Sequence, residues 1–470
     1  MSFLIVLASL CFLMFVAYRG YSVILFAPIA AMGAVLLVDP NLVAPMFTGL
    51  FMPKMVVFVQ LYFPVFLLGA LFGKVIELSG FSKAIVAAVI DFVGRERAMF
   101  SIVVVCALLT YFGVSLFVVV FAVYPFAAEL FRASDIPKRL IPGTIALGSF
   151  TFTMDSLPGT PQIQNIIPTV FFKTNIYAAP ILGTIGAIFI LVVGMAYLEW
   201  RRREAAKAGE GYSVKGVELV NEPAPYEHEK LANPLIAISP LVMVGVMNYV
   251  FTKTIPLLYG EATTSFTPAA VGKAAAPVVQ AVKSVSALWA VEGALLVGIL
   301  LVFVFAGRTV MGRFSEGSKS AIGGALLASM NTASEYGFGS IIAALPGFIV
   351  VANGLASIPN PLVNEAITVT SLAGITGSAS GGMGIALAAM ADTFIANAAA
   401  AGIPLEVFHR VASMASGGMD TLPHNGAVIT LLMVTGLTHR VSYKDIFAVT
   451  LIKTSAVFVV IATYYLTGLV

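Results

Sequence analysis

The sequence predicts an all-α polytopic membrane protein built from two inverted-topology repeats, each carrying a re-entrant hairpin and a broken helix. Three observations predict it: an apolar composition, matching motifs in the two halves, and the placement of positive charge. Of 470 residues, 59% are hydrophobic and 10% charged, with a mean hydropathy of +0.98. A soluble domain carries roughly 25% charged residues. No water-soluble fold of this length could hide so many apolar side chains, so most of the outer surface faces lipid.

Composition also excludes several classes. The net charge of +3 is spread along the chain without a basic stripe interleaved with aromatics, so nucleic acid is not an expected partner. Cys11 and Cys106 each sit inside an apolar run, which leaves no disulfide framework and no cysteine metal cluster. The first positive charge, Arg19, follows the first apolar run instead of preceding it, so that run reads as a membrane span and not as a cleaved signal.

Crossing the hydrocarbon takes about 20 helical residues. Simple spans are expected at Phe3 to Tyr18, Val23 to Val38, Met55 to Ile76, Tyr177 to Trp200, Leu235 to Phe251, Ala287 to Ala306 and Ile446 to Leu466. Other apolar stretches are interrupted by Gly, Pro, Ser, Asn and Asp: Met99 to Phe131, Leu140 to Phe172, Ala321 to Ala352, Leu362 to Ala400 and Leu405 to Leu437. Backbone released from a helix survives at membrane depth only where protein or a polar cavity satisfies it, so these interruptions are the informative ones.

The two halves repeat a pattern. Met154-Asp155-Ser156-Leu157-Pro158 returns as Met419-Asp420-Thr421-Leu422-Pro423, and Ile136-Pro137 returns as Ile403-Pro404. Further upstream, Gly69-Ala70-Leu71 with Gly80-Phe81 matches Gly324-Ala325-Leu326 with Gly337-Phe338, in the same order. The division expected is a first repeat over 1–200, a cytoplasmic linker over 201–234 and a second repeat over 235–470. Hairpins fall near 99–131 and 362–400, and broken helices near 140–172 and 405–437.

Charge sets the orientation. With the first hairpin entering and leaving on one side, the first half crosses an odd number of times, which inverts the second. Most of the 26 Lys and Arg then share the cytoplasmic side, including Arg95, Arg97 and Arg132 at the hairpin base and Arg201-Arg202-Arg203 in the linker. Both termini are expected outside the cytoplasmic (inner) membrane. The stretch Thr252 to Lys283 lies on the outer side, with no readable structure.

Broken helices at matching positions point to a secondary transporter with its site near the midplane. The first break, Asp155 to Asn165, and the second, Asp420 to Gly426, each hold an acid, a hydroxyl, a proline and amides. The half-helices after Pro158 and Pro423 would present free N–H groups to a carboxylate without requiring an arginine. Substrate candidates are Ser156, Gly159, Thr160, Gln162, Gln164 and Asn165 in the first break and Thr421, His424 and Asn425 in the second. Thr110 and Ser115 at the first hairpin tip, with Ser378 and Ser380 at the second, would close over the anion; equally, small residues there would serve helix packing.

Asp155 and Asp420 are the candidates for proton coupling, since an acid at membrane depth is costly and marks ion pathways. The competing role is helix capping. His424 titrates in a useful range but serves equally well as a neutral hydrogen-bonded group. Gln162, Gln164, Asn165 and Asn425 would bind substrate hydroxyls or satisfy opened backbone. Glu335, expected at a helix break, Asp392 and Glu292 are lesser candidates.

Enzyme signatures fail. Gly69 to Lys74 has three residues between its glycines where a phosphate loop has four, with Val75 where Ser or Thr would hold Mg²⁺. Gly377 to Gly381 puts Ala379 where a nucleophile elbow needs Ser. No enzyme, no cofactor and no resident metal is expected.

The paired breaks, and above all Leu157-Pro158-Gly159-Thr160-Pro161-Gln162-Ile163-Gln164-Asn165, resemble the gluconate:proton symporter (GntP) family, closest to its hydroxybutyrate permease branch. That family is grouped in the broader ion-transporter superfamily. The likeness in length and layout covers essentially the whole chain, although His424-Asn425 departs from Gly159-Thr160. The resemblance implies proton-coupled uptake of a small hydroxy-monocarboxylate, such as 3-hydroxybutyrate or a gluconate-like sugar acid, by a homodimer using an elevator-type movement. A cation/proton antiporter or a Na⁺-coupled carboxylate symporter is the alternative, with Na⁺ in place of H⁺ as coupling ion.

Overall fold

The computed structural model describes residues 2–19, 21–94, 97–114, 116–213, 219–223, 231–260, 263–266, 278–348, 350, 354, 358–423 and 425–470. Arg95, Ser115 and His424, singled out above, lie outside the described residues. Helix dominates, and among the described residues six helices are long and apolar enough to cross a membrane. The protein is an all-α membrane protein; its described strands are one short antiparallel ribbon, Thr263–Phe266 on Val278–Ala281.

The helices sort into two groups by what they touch. One group is a framework: Val282–Ala344 packs along Met52–Leu78, Pro234–Tyr259 and Val23–Val38, and Ser2–Tyr18 packs on the last of these. Framework helices leave Leu25, Leu36, Leu300 and Val304 exposed, which suits a surface solvated by lipid tails. The other group contains two hairpins and two broken helices. The first hairpin is Ala98–Tyr111 with Leu116–Ala133, and the second is Pro361–Thr376 with Ala379–Ala401. The first break lies between Ile141–Ser149 and Ile163–Phe172, and the second between Leu405–Gly417 and Gly426–Thr435.

Each hairpin is held by both broken helices. The first hairpin packs on Ile141–Ser149 and Gly426–Thr435; the second packs on Leu405–Gly417 and Ile163–Phe172. Broken helices of the two halves therefore exchange partners, and their breaks meet in the interior.

Several expectations need correction. Ala321 to Ala352 contains no interruption before Leu345: the segment Val282–Ala344 is two helices joined at a kink at Ala306, and the second of them runs unbroken to Ala344. Glu335 consequently sits in continuous helix and not at a break. Nor are the Gly-Phe pairs equivalent, because Gly80 precedes a helix in left-handed geometry (φ +77°) whereas Gly337 is mid-helix with Phe51 against it. The span Pro180–Lys207 continues seven residues past Trp200, since i to i+3 and i+4 pairs such as Glu199 with Arg202 and Arg203 carry it into the polar zone.

Four basic residues, Arg132, Lys138, Arg139 and Arg201, are held by Glu210, Glu222 and Asp445. Arg139 bonds Glu210 at 2.6 and 2.8 Å, and Arg139 and Arg201 both reach the buried Asp445, at 3.2 and 2.6 Å. Lys138 pairs with Glu222 at 2.7 Å, and Arg132 pairs with the same carboxylate. Hydrogen bonding to Arg139 holds the Glu210 carboxyl below its ordinary range. These contacts fasten the described linker residues across the base of the first hairpin.

Candidate functional site

The first break is built around Asp155, the last residue of the short helix Phe152–Asp155. Its carboxylate forms an ion pair with Lys453, and both side chains are buried. Ser156 Oγ donates to Asp155 Oδ1 at 2.8 Å. Lys453 Nζ also donates to the Phe150 carbonyl at 3.1 Å, a group released where the helix bends. A Cβ at Gly417 would overlap this pair, so backbone there must lie bare against it.

Arg410, from the second broken helix, satisfies the rest of the first break. Nη1 donates to the Asp155 carbonyl at 2.6 Å and to Asn165 Oδ1 at 3.0 Å. Nε and Nη2 both donate to the Ala178 carbonyl, at 3.2 and 2.7 Å. Ser413 Oγ lies 3.0 Å from the Asp155 carbonyl and 2.9 Å from that of Gln164. Asn165 donates to the carbonyls of Thr160 and Ile176 at 3.0 and 2.8 Å, and His409 contacts Asn165 Oδ1 at 3.2 Å and Thr174 at 2.6 Å. Freed backbone in a lipid-embedded chain has no water to turn to, and here protein side chains take water's place. Arg410 is therefore spent on backbone and on Asn165, and Asn165 is occupied in turn.

Each hairpin tip is pinned by the residue that precedes a half-helix. Gln162 donates to the Thr110 carbonyl at 2.7 Å. Asn425 donates to the Gly377 carbonyl at 2.8 Å and accepts from the Ala427 N–H at 2.7 Å, capping Gly426–Thr435. The half-helices start at Ile163 and Gly426, beyond the expected starts after Pro158 and Pro423: Gly159 turns the first break with φ +85°, and Gln162 and Asn425 stand before the half-helices in extended backbone. Tyr111 donates to the Pro158 carbonyl at 2.8 Å.

Gly159 is required by geometry. Its φ is +85°, and a Cβ there would stand 2.7 Å from Tyr177 Cε1. Gly159→Ala is expected to cost about 1–3 kcal/mol, read as a lowered melting temperature of the detergent-purified protein. An unchanged melting temperature would show that the loop relaxes freely.

Asp420 lies in the turn Gly418–Thr421 and faces elsewhere than Asp155. Its Oδ2 accepts from Gln164 Nε2 at 2.7 Å, and Oδ1 accepts from the Ala379 N–H at 2.9 Å and from Asn425 Nδ2 at 3.3 Å. One carboxylate thus joins the first break, the second break and the second hairpin. Ser378 caps the same hairpin arm, accepting from the Gly381 N–H at 3.1 Å. Ser380 Oγ stands 3.4 Å from Ser378 Oγ and 3.4 Å from Thr332 Oγ1. Thr421 is used internally, 2.8 Å from the Gly418 carbonyl and 2.7 Å from Thr450. Polar atoms buried without a hydrogen-bond partner among the described residues include Thr110 Oγ1, Thr160 Oγ1 and Gln164 Oε1.

Three groups escaped sequence reasoning: Lys453, Arg410 and His409. Lys453 had a signal, a lone cation in the otherwise apolar run Ile446 to Leu466, which membrane cost alone flags. Asp392, a lesser candidate, is exposed on the second hairpin arm.

The chain is 58% identical, over 478 aligned positions covering both proteins completely, to a Bacillus subtilis (strain 168) protein described as the uncharacterized transporter YxjC. No protein-family model matches the chain. Among solved structures, the crystal structure of the Alcanivorax borkumensis YdaH transporter, described as having an unusual topology, aligns with a TM-score of 0.49 and 13% identity, over 92% of this chain and 90% of that one.

Proposed function

Because the chain belongs to the transporter family that includes YxjC of Bacillus subtilis, we propose that it works as a secondary active symporter, carrying a small hydroxy-monocarboxylate with protons across the cytoplasmic membrane. The observation that carries this is the meeting of two interrupted helices and the second hairpin tip at Asp420. That carboxylate, the N-terminus of Ala379–Ala401 and the unpartnered Oε1 of Gln164 supply opposite-charge and hydrogen-bonding groups side by side, and Thr110 and Thr160 add further buried hydroxyls without a partner among the described residues. A carboxylate substrate is suited to backbone N–H groups at helix N-termini, and its hydroxyl to the amide of Gln164.

The coupling proton belongs on Asp420. Asp155 is paired with Lys453 and is better understood as holding the break together. Movement of the hairpins and broken helices as a body against the framework, in elevator fashion, accords with the two packing groups. The inverted repeat, the homodimer, the hydroxybutyrate permease branch and the outward termini belong to the same proposal.

The test is uptake of labelled 3-hydroxybutyrate and gluconate into proteoliposomes with an imposed pH gradient. Accumulation above equilibrium, at least tenfold reduced in Asp420→Asn, is expected. Accumulation of neither acid over a panel of hydroxy acids would sink the substrate class. The buried Asp155–Lys453 pair favours one second reading, a cation/proton antiporter; Na⁺-driven or K⁺-driven proton efflux without any organic anion would select it. A Na⁺ gradient driving acid uptake at fixed pH would instead select the Na⁺-coupled symporter.

A further inference from the structure

Glu335 is a buried acid that the arrangement above leaves without a task. It projects from the framework helix Val282–Ala344, is 3% exposed, and its Oε2 has no hydrogen-bond partner among the described residues. The carboxylate rests directly on the backbone of Gly381, where a Cβ would overlap it. Gly381 lies in the first turn of the hairpin arm Ala379–Ala401, whose leading N–H is held by Asp420. Two carboxylates, one from the framework and one from the second break, therefore approach the same helix N-terminus from different elements.

We propose that Glu335 and Asp420 form the coupling-proton site as an acid pair spanning the seam between framework and hairpin. The inference rests on the proton-driven transport reading and adds to it the second acid. A buried carboxylate oxygen with no donor is strongly disfavoured in its charged form, and a proton removes that cost. Two neighbouring carboxyls resist double ionisation, so one proton shared by the pair is the stable state.

The charged groups bearing on the pair are few. Asp420 acts on Glu335; Lys453 and Asp155 act in turn on Asp420. Among the described residues, the other groups at the hairpin N-terminus are the hydroxyls of Thr332, Ser378 and Ser380 and the amides of Gln164 and Asn425. Loss of the proton would set two negative charges against each other across the seam and part the hairpin from the framework. Protonation allows the closed contact seen at Gly381, so proton binding and hairpin closure become one event.

Two measurements test the pair. First, proteoliposomes carrying a trapped pH dye report proton entry during uptake of 3-hydroxybutyrate or gluconate. Glu335→Gln is expected to lower proton entry at least tenfold, and more than it lowers counterflow exchange of the same acid. Glu335→Gln with the proton entry of the unaltered protein would overturn the proposal. Second, dicyclohexylcarbodiimide reacts with protonated carboxyls in apolar surroundings, and peptide mass spectrometry of the unaltered protein is expected to find Glu335 labelled, less so as pH rises. Absence of that label at every pH would overturn the proposal even if Glu335→Gln does not fold. If the unaltered protein accumulates neither acid, the transport reading fails, and the labelling result still decides the state of Glu335.

Discussion

Lys453→Met is expected to destabilise the protein by about 3–5 kcal/mol, the usual result of removing one partner from a buried ion pair. Asp155, with 0% of its surface exposed, would have to remain charged without its cation or take up a proton, and the Phe150 carbonyl would lose the bond from Lys453. Asp155→Asn should cost a similar amount by stranding the ammonium. The informative variant is the double one. Asp155→Asn with Lys453→Met replaces the pair by neutral groups, and buried pairs replaced in this way often lose little. Its destabilisation should therefore fall well short of the sum of the two single effects. Reversible unfolding in detergent micelles, analysed as a double-mutant cycle, measures the difference. Additive effects would show that the two side chains do not depend on one another. The same double variant also bears on transport, since uptake retained by it would confirm Asp155 as structural.

Arg410→Ala should be the most damaging single substitution in the chain. It removes donors from the carbonyls of Asp155 and Ala178 and from Asn165 Oδ1; Ser413 and His409 still reach the first and the last, while the Ala178 carbonyl loses both of its bonds to Arg410, and a buried acceptor left unsatisfied costs about 1–3 kcal/mol. A cavity the size of a fully buried arginine is added to that. The expected outcome is little or no monodisperse protein on size-exclusion chromatography. Arg410→Lys should recover only part of the yield, because one ammonium cannot reproduce a planar fork that serves three acceptors. Normal yield and melting temperature for Arg410→Ala, combined with lost uptake, would instead make Arg410 a substrate ligand.

The contrast between Asp155 and Asp420 bears on how much of the site was legible beforehand. The paired Met-Asp-Ser/Thr-Leu-Pro motifs locate both acids at helix interruptions, and both acids are buried there. Sequence treats them as equivalent. Their surroundings make them different: a lysine from the last helix meets one, and a backbone N–H with two amides meets the other. Lys453, Ala379 and Gln164 are distant along the chain from the acids they meet, so spacing carries no trace of them; only Asn425, five residues past Asp420, lies in the same break. Glu335 illustrates the opposite error. Neighbouring Asn331, Ser334 and Gly337 suggest a break, but a helix inside a membrane protein keeps its hydrogen bonds unless something replaces them, and here nothing does.

Sequence alone determined the solvent of this protein and its punctuation. Hydropathy requires lipid, and Gly, Pro, Asn and Asp mark the two interruptions, because backbone freed within a bilayer is rare enough to stand out. Tertiary structure alone decided how that freed backbone is satisfied, through Arg410, Lys453, Asn165 and Asn425, and which acid is neutralised by a cation. The physical reason is that hydrogen bonds and ion pairs in a low-dielectric interior are set by distances of a few ångströms in space, and the residues that make them lie on helices brought together only by the fold.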